Sequence, residues 1–219
     1  MTQLQQNPDM QAILIYEQAG DYVKTVLRSG LQASDITTFG IVPGLSEYGA
    51  RQYLESEGVD VAGVEFVAGG PSELKDILLR GDIDGFVLWE PWPEQATEGG
   101  EGEIVGVSGD YGFEYVHWLT TTGTWLDAND DAARAFADAL AQGAEDVEAD
   151  PDATAALLDS AITIPPEDTL TAIEEIDFGV RGFEESDTER YDSYASFWAD
   201  TADLDIDWPS NVNMEWYGA

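Results

Sequence analysis

The sequence contains no cysteine and a single histidine, His117. Without cysteine there is no disulfide, no thiolate metal site and no cysteine nucleophile, and the redox compartment is left open. Bases are nearly as scarce. Lys and Arg number 8 against 45 Asp and Glu, a formal net charge of −37, and Lys24 and Lys75 are the only lysines. These bases never cluster, so no stripe tracks a phosphate backbone and no nucleic-acid partner is expected. No apolar run approaches the ~20 residues of a membrane span. The opening Met1-Thr-Gln-Leu-Gln-Gln-Asn-Pro8 has neither a basic n-region nor an apolar h-region, so no signal peptide is visible. A Ser/His/Asp triad, a Walker loop, zinc-ligand spacing and a Gly-rich dinucleotide turn are also missing. No cofactor and no metal is expected. Carboxylate pairs are so common here that they say nothing about catalysis.

What is present is an ordinary globular complement. The chain has 219 residues, 43% of them hydrophobic, with 7 Trp. That is enough for one large or two small domains with a proper core, and it excludes a disordered acidic tail. The acids are spread over every segment. Diffuse Asp and Glu with little Lys is the pattern of proteins from very salty surroundings. At roughly 1 M salt the Debye length is about 3 Å, so surface repulsion is screened. The rival reading, a nucleic-acid mimic or a partner for a basic protein, would gather its charge on one face.

Periodicity gives the elements. Met10 to Tyr16 reads as a strand, Gln18-Ala-Gly-Asp21 as a turn, and Tyr22 to Leu27 as a second strand. Ile36 to Ile41 is a strand broken by Pro43-Gly44. Ser46 is the expected cap of the helix that follows and Gly58 its stop. Val64 to Val67 is a strand, and Ser72 to Leu79 a helix opened by Pro71 or Ser72. Gly85-Phe-Val-Leu88 is a buried strand stopping at Trp89-Glu90-Pro91-Trp92. Strand, helix, strand, helix, strand is a βαβαβ unit, hence a parallel sheet. Ile104 to Val107 and Tyr115 to Thr122 are further strands. Beyond Asn129 the chain turns helical, with Ala132, Phe136, Ala139 and Leu140 as the expected buried stripe. Asp150-Pro151 opens a helix carrying Leu157, Leu158 and Ile162; Pro165-Pro166 opens another through Leu170 and Ile173. Tyr191, Tyr194, Ala195 and Trp198 mark a last one. The tail, Leu204 to Ala219, has no periodicity, but its Trp208, Trp216 and Tyr217 are expected to dock on the body.

In α/β sheets ligands sit at the carboxyl ends of strands. Here those ends carry Gly44-Leu45-Ser46-Glu47-Tyr48, Gly69-Gly70-Pro71-Ser72 and Trp89-Glu90-Pro91-Trp92. Two adjacent helix starts offer backbone N–H groups, helped by the Ser46 hydroxyl, and two indoles offer rings for stacking. Each also has a plainer reading, as a capped helix or a core Trp pair. Glu90 points to a cationic or amine-bearing group, so a pyrimidine, an amine or a zwitterion fits better than bare nitrate. His117, in an apolar strand, reads first as a satisfied structural residue and completes the ligand-binding candidates.

The order of these motifs resembles the second lobe of ABC-importer solute-binding proteins of the nitrate/sulfonate/taurine and thiamine-pyrimidine-precursor type. Gly81-Asp-Ile-Asp84, a strand, then Trp89-Glu-Pro91 carry the resemblance. So do Phe39-Gly-Ile-Val-Pro-Gly-Leu-Ser-Glu47 and Glu57 to Phe66, and downstream Asn129 to Ala144 and Ala149 to Thr154; together they span residues 12–200. The resemblance implies an α/β, type II periplasmic-binding-protein-like fold: one complete βαβαβ lobe plus hinge strands and C-terminal helices. Residues 1–34 would be a first-lobe remnant and hinge strand, 35–114 the second lobe, 115–203 a return strand and C-terminal helices, and 204–219 an aromatic tail. It implies a small-molecule solute, an ABC permease as partner, and an extracytoplasmic, cell-surface or lipoprotein-anchored location. It also implies a non-enzyme. The alternatives are an enzyme on the same fold, as in pyrimidine-precursor synthesis, with only His117 and Glu90 as acid–base candidates and without the cysteine-rich segment of those relatives, or a single-lobe interaction module without ligand. The family's first lobe has no counterpart here. The strands at residues 11–27 and 115–122 are therefore expected to lack sheet neighbours, which predicts a homodimer with residues 10–30 at the interface.

The charge itself makes a prediction. Melting temperature rises steeply between about 0.1 M and 2 M KCl as screening sets in. Scanning calorimetry across that range checks it, and a flat profile would show that the acids serve a basic partner.

Overall fold

The computed structural model describes residues 7–158, 161 and 166–218. Its strands are β1 (Met10–Ala19), β2 (Val23–Arg28), β3 (Thr38–Ile41), β4 (Glu65–Ala68), β5 (Gly85–Trp89), β6 (Gly102–Val107) and β7 (Tyr115–Thr122). Its α-helices are α1 (Leu45–Ser56), α2 (Pro71–Leu79), α3 (Trp92–Thr97), α4 (Gly123–Ala149), α5 (Pro151–Leu158), α6 (Pro166–Glu175) and α7 (Asp187–Ala202). Two compact units interleave along the chain. One, the sheet unit, takes in Ala19–Tyr115 and Pro151–Ile176; the other, the helical unit, holds the chain up to Gln18, Val116–Asp150 and the chain from Asp177 on. Ile162 and Pro165, assigned to helices from the sequence, lie outside the described residues, as does most of the opening segment searched for a signal peptide.

In the sheet unit, β-branched runs between glycine turns pair in the order β4-β3-β5-β2-β6. β3 is parallel to β4 and β5, while β2 runs antiparallel to β5 and β6. The crossover through α1 moves out from β3 and the one through α2 moves back past it. Two right-handed crossovers in opposite directions put their helices on opposite faces. This is the expected βαβαβ unit. On one face Leu74 and Leu78 of α2 and Ala96 of α3 pack on Val26, Phe86 and Leu88. Each such Leu or Phe contributes about 2 kcal/mol on burial. Helix α3 had no counterpart in the sequence reading.

β2 corrects that reading. It is not a hinge strand without neighbours: it has β5 on one side and β6 on the other. Val23, Val26 and Leu27 are all buried, as is Thr25, and a strand apolar on both faces is stable only inside a sheet. Ala12 to Ile15 of β1 are buried as well. The uncovered apolar face at residues 10–30, which was the reason to expect a homodimer there, is not present.

Asp84 locks the amino-terminal edge. Its Oδ2 accepts from the amides and hydroxyls of Thr37 and Thr38 at 2.9–3.1 Å, and its Oδ1 from Arg28 at 3.1 Å. One carboxylate thereby pins the starts of β3 and β5 together. Burial alone would raise its pKa; the Thr37 and Thr38 amides and hydroxyls outweigh that and hold it below its ordinary value.

In the helical unit β1 pairs with β7. β1 also exchanges backbone hydrogen bonds with Asp177 and Arg181 at 2.8–2.9 Å. Arg181 forks onto Asp187 at 2.7 and 2.9 Å, and Arg190 joins at 3.0 Å. Burial raises the Asp187 carboxyl less than the Arg181 fork and the Glu184 amide lower it, so its pKa falls. α7 turns Tyr191, Tyr194 and Phe197 inward, with Trp118 donating to the Tyr191 hydroxyl at 3.0 Å. The tail aromatics dock: Trp208 donates to Asp192 at 2.8 Å and Trp216 to Asp130 at 2.7 Å.

α4 overturns the expected stripe. Leu126, Ala133 and Ala137 face Ile13, Leu14 and Trp216, with Leu140 beside them, while Phe136 is 55% exposed and Ala132 and Ala139 lie outward. The helix starts at Gly123, where the Thr122 hydroxyl accepts from the Trp125 amide, and Asn129 is a kink inside it rather than its start. Small alanines face the places where the helix meets the strand closely. In α5 Leu157 is exposed and Ala155 is buried. No helix among the described residues is long and apolar enough to cross a membrane.

Asp84→Asn keeps the shape but removes the charge that five donors share. Urea titration at pH 7 is expected to show a loss of about 2 kcal/mol. The sign with pH is fixed by the depressed pKa. The wild-type advantage is full above the unfolded value of about 3.9 and disappears as pH falls through the lower folded one. The two proteins therefore converge in acid.

Candidate functional site

Five segments of the sheet unit meet at the carboxyl edge of its parallel strands. β3, β4 and β5 end there, at Val42-Pro-Gly44, Gly69-Gly70 and Glu90-Pro91-Trp92. β2 is antiparallel, and Val23 opposite Trp89 puts its start at the same edge. Val107 opposite Lys24 brings the end of β6 there too. The strand order reverses between β3 and β5, and this is where α/β sheets open a crevice for ligands.

At the centre of that edge lies a buried ion cluster. Lys24 Nζ is 2.6 Å from Glu90 and 2.6 Å from Glu175, the last residue of α6. Lys24 is 7% exposed and Glu90 2%. Glu90 Oε2 also accepts from the Glu94 amide at 3.2 Å, and Tyr22 donates to the Glu90 carbonyl at 2.9 Å. Burial would lower the Lys24 pKa; Glu175 and Glu90 outweigh it and hold the ammonium above its ordinary value. For Glu175 burial raises the pKa more than Lys24 lowers it. Two carboxylates share one ammonium, leaving a net charge of −1. The expectation that Glu90 awaits a ligand's amine is corrected: its charge is already met from inside by Lys24. The sequence pointed to Glu90 but missed Lys24 and Glu175. One signal was available, since one of only two lysines stands inside the apolar run Val23-Lys-Thr-Val26.

The helix starts also differ from expectation. Gly44, not Ser46, caps α1, at φ 123°, a region open to glycine and closed to most side chains. Ser46 is the second residue of the helix and its hydroxyl is spent: it donates to the Val87 carbonyl at 2.8 Å and accepts from the Val42 amide at 3.2 Å. Glu47 pairs with Arg51 at 2.7 Å, and Leu45 is half-buried beside it. α2 is capped by Gly70 with Pro71 at its first position. Gly70, Ser72 and Trp92 line an open groove of ≈ 640 Å³ with Asp76, Ile77 and Arg80. Lys75 sits over the Trp92 ring, 5.7 Å from its centroid. A Cβ on Gly69 would press on Leu74.

A row of rings completes the edge. Trp89 meets Tyr115 at 6.1 Å with their planes 80° apart, Tyr115 meets Phe113 at 5.1 Å, and Phe113 meets Tyr48 at 5.6 Å. Gly49 of α1 makes room for the Phe113 ring, which a Cβ there would strike. Trp89 and Tyr115 are half-buried; Phe113 and Tyr48 lie behind them, buried. Burial raises the Tyr115 hydroxyl pKa, so it stays neutral. Thus the structure brings together Tyr48 and Trp89 in this row, and Gly70, Ser72 and Trp92 in the groove. His117 belongs to the helical unit. Its Nδ1 lies 3.1 Å from Glu17 and its ring stacks on Tyr16 at 5.9 Å. The Glu17 hydrogen bond raises its pKa more than burial lowers it.

Removing the cation should expose the cost of the cluster. Lys24→Met leaves the buried Glu90 and half-buried Glu175 carboxylates without their cation, and thermal and urea unfolding are expected to show a loss of about 3 kcal/mol at pH 8. Protonation relieves uncompensated carboxylates, so the variant recovers part of the loss at pH 5. Adding Glu90→Gln to Lys24→Met restores part of it at either pH. A single variant as stable as wild type at pH 8 would show that the cluster carries no weight.

Comparison with known proteins places this geometry. No curated protein sequence matches the chain. Among solved structures the chain is similar to the ligand-binding component of an ABC-type import system from Staphylococcus aureus, determined with zinc bound. The TM-score is 0.78 at 15% identity, over 99% of this chain and 76% of that one. The periplasmic aliphatic sulphonate binding protein SsuA from Escherichia coli gives 0.81 at 10% identity, over 96% and 71%. The desulfurization enzyme DSZB gives 0.67 at 11% identity, over 95% and 78%. These likenesses establish the fold: α/β, periplasmic-binding-protein-like. A family model matches residues 4–161, most of the sequence, and the chain belongs to the NMT1-like family.

Proposed function

We propose that this protein is the solute-binding component of an ABC importer: it captures a small organic solute and delivers it to a membrane permease, with no chemistry of its own. One observation carries the reading. At the strand-order switch of the sheet unit, the glycine-capped start of α1 and the half-buried Trp89 and Tyr115 rings converge, in an NMT1-like chain folded like named import-system binding components. Gly44, Gly70, Ser72, Trp89 and Trp92 are the proposed contact residues. Ser46 and Glu90 support them from within. The place of action is outside the cytoplasmic membrane, as for the periplasmic neighbours.

One observation favours an enzyme: a desulfurization enzyme shares the fold. Glu90 is committed to Lys24, so that reading rests on His117 alone as acid or base. Turnover of any solute that is abolished in a folded His117→Ala variant would establish it.

The test of solute binding is a thermal-shift panel of pyrimidines, sulfonates and amines in about 2 M KCl, where surface repulsion is screened. At least one class is expected to raise the melting temperature, and Trp89→Leu to remove the rise. Silence across the panel from folded protein would overturn the proposal.

A further inference from the structure

We infer that the solute taken at the carboxyl edge of the sheet unit is an organic cation seated against Trp89 and Tyr115, and not an anion. This rests on the solute-binding reading above and narrows it by charge.

The first argument is the whereabouts of every base in the unit. Arg28 is tied to Asp84 at the opposite edge. Arg51 pairs with Glu47 and lies over the Phe66 ring at 4.7 Å. Lys75 is 3.8 Å from Asp76 and covers Trp92, and Arg80 pairs with Asp82 at 3.0 Å. Lys24 is buried between two carboxylates. An arriving sulfonate therefore meets backbone N–H groups and cations that each already face an acid.

The second argument is the sign of the buried cluster. Glu90 Oε1 faces the Lys24 ammonium at 2.6 Å, while Glu175 Oε2 is buried and accepts no hydrogen bond among the described residues. One ammonium cannot neutralise both carboxylates, so the cluster at this edge keeps a net charge of −1. Salt strong enough to screen the exposed acids screens a buried group far less. The preference for a cation consequently survives where the diffuse surface charge has lost its reach.

The third argument is the rings. Trp89 and Tyr115 meet edge to face at 6.1 Å with their planes 80° apart, and Phe113 and Tyr48 continue the row. Faces of Trp and Tyr attract ammonium groups through the ring quadrupole, and a quaternary ammonium needs no hydrogen bond to be held there. Glu175 then acts as a positioning residue, at a distance, while the rings make the contact.

The experiment is calorimetric titration in about 2 M KCl, where the surface acids are screened, with three probes of similar size: choline, its uncharged isostere dimethylbutanol, and ethanesulfonate. Choline is expected to bind about tenfold or more tightly than either of the others. Trp89→Leu and Tyr115→Leu should each abolish that preference. Glu175→Gln should weaken choline several-fold and leave dimethylbutanol unchanged, which a purely structural role for Glu175 would not do. Ethanesulfonate binding best, with Trp89→Leu abolishing it, would overturn the cation and keep the solute-binding reading. Equal binding of choline and dimethylbutanol would also overturn the cation. Silence from all three probes and from the wider panel would overturn both.

Discussion

One ammonium group holds the sheet unit's functional edge together. Lys24 starts from the central strand β2 and meets Glu90 just past the end of β5 and Glu175 at the end of α6, residues separated by 66 and 151 positions from it (90 − 24 and 175 − 24). A buried ion pair contributes little net stability against an apolar replacement, because desolvation offsets the attraction. What it supplies is position. The pair allows Glu90 one location, and the backbone around Glu90 carries Trp89 and Trp92. The Tyr22 hydroxyl on the Glu90 carbonyl and the Glu94 amide on its carboxylate tighten the same turn. The placement of the rings therefore follows from the placement of the charge.

Scarcity gives that ammonium its weight. With 8 bases against 45 acids, each base is a structural member. Arg181 and Arg190 share Asp187, Arg28 backs Asp84, and Arg134 lies on the Trp216 ring at 5.1 Å while pairing with Asp130. The exposed pairs among these contribute little. The pairs at Lys24 and Asp187 are buried and matter. A chain that commits its cations to architecture has none to spare for recognition, so ligand contacts must come from rings and backbone amides.

The sequence made the sheet unit legible because its elements are short and sharply punctuated. Each strand of the βαβαβ unit is an apolar run ended by Gly or Pro, and alternation identified it correctly. Contacts set at long range were illegible. β2 looked like a hinge strand because nothing in Val23 to Arg28 says which strands lie beside it. Phe136 looked buried because helical spacing fixes a stripe but not its phase. Close packing of Ala133 and Ala137 against Ile13, Leu14 and Trp216 chose the other side. Of the candidate site, the loops and the Trp pair could be read directly. The roles of Ser46 and Glu90 could not, since one bonds a carbonyl 41 residues away and the other a lysine 66 residues upstream (90 − 24).

The motif that stood out in the sequence, Gly81-Asp-Ile-Asp-Gly-Phe-Val-Leu-Trp-Glu-Pro-Trp92, divides into two jobs. Its two buried carboxylates bracket β5, Asp84 just before the strand and Glu90 just after it. Asp84 collects donors from Thr37, Thr38 and Arg28, and Glu90 collects Lys24 and the Glu94 amide. A strand clamped by charge at both ends cannot slip in register without uncovering a buried carboxylate, and that would cost several kcal/mol. The acids are the frame. The indoles, which the frame holds half-buried at the strand's carboxyl end, are what remains for a solute to touch.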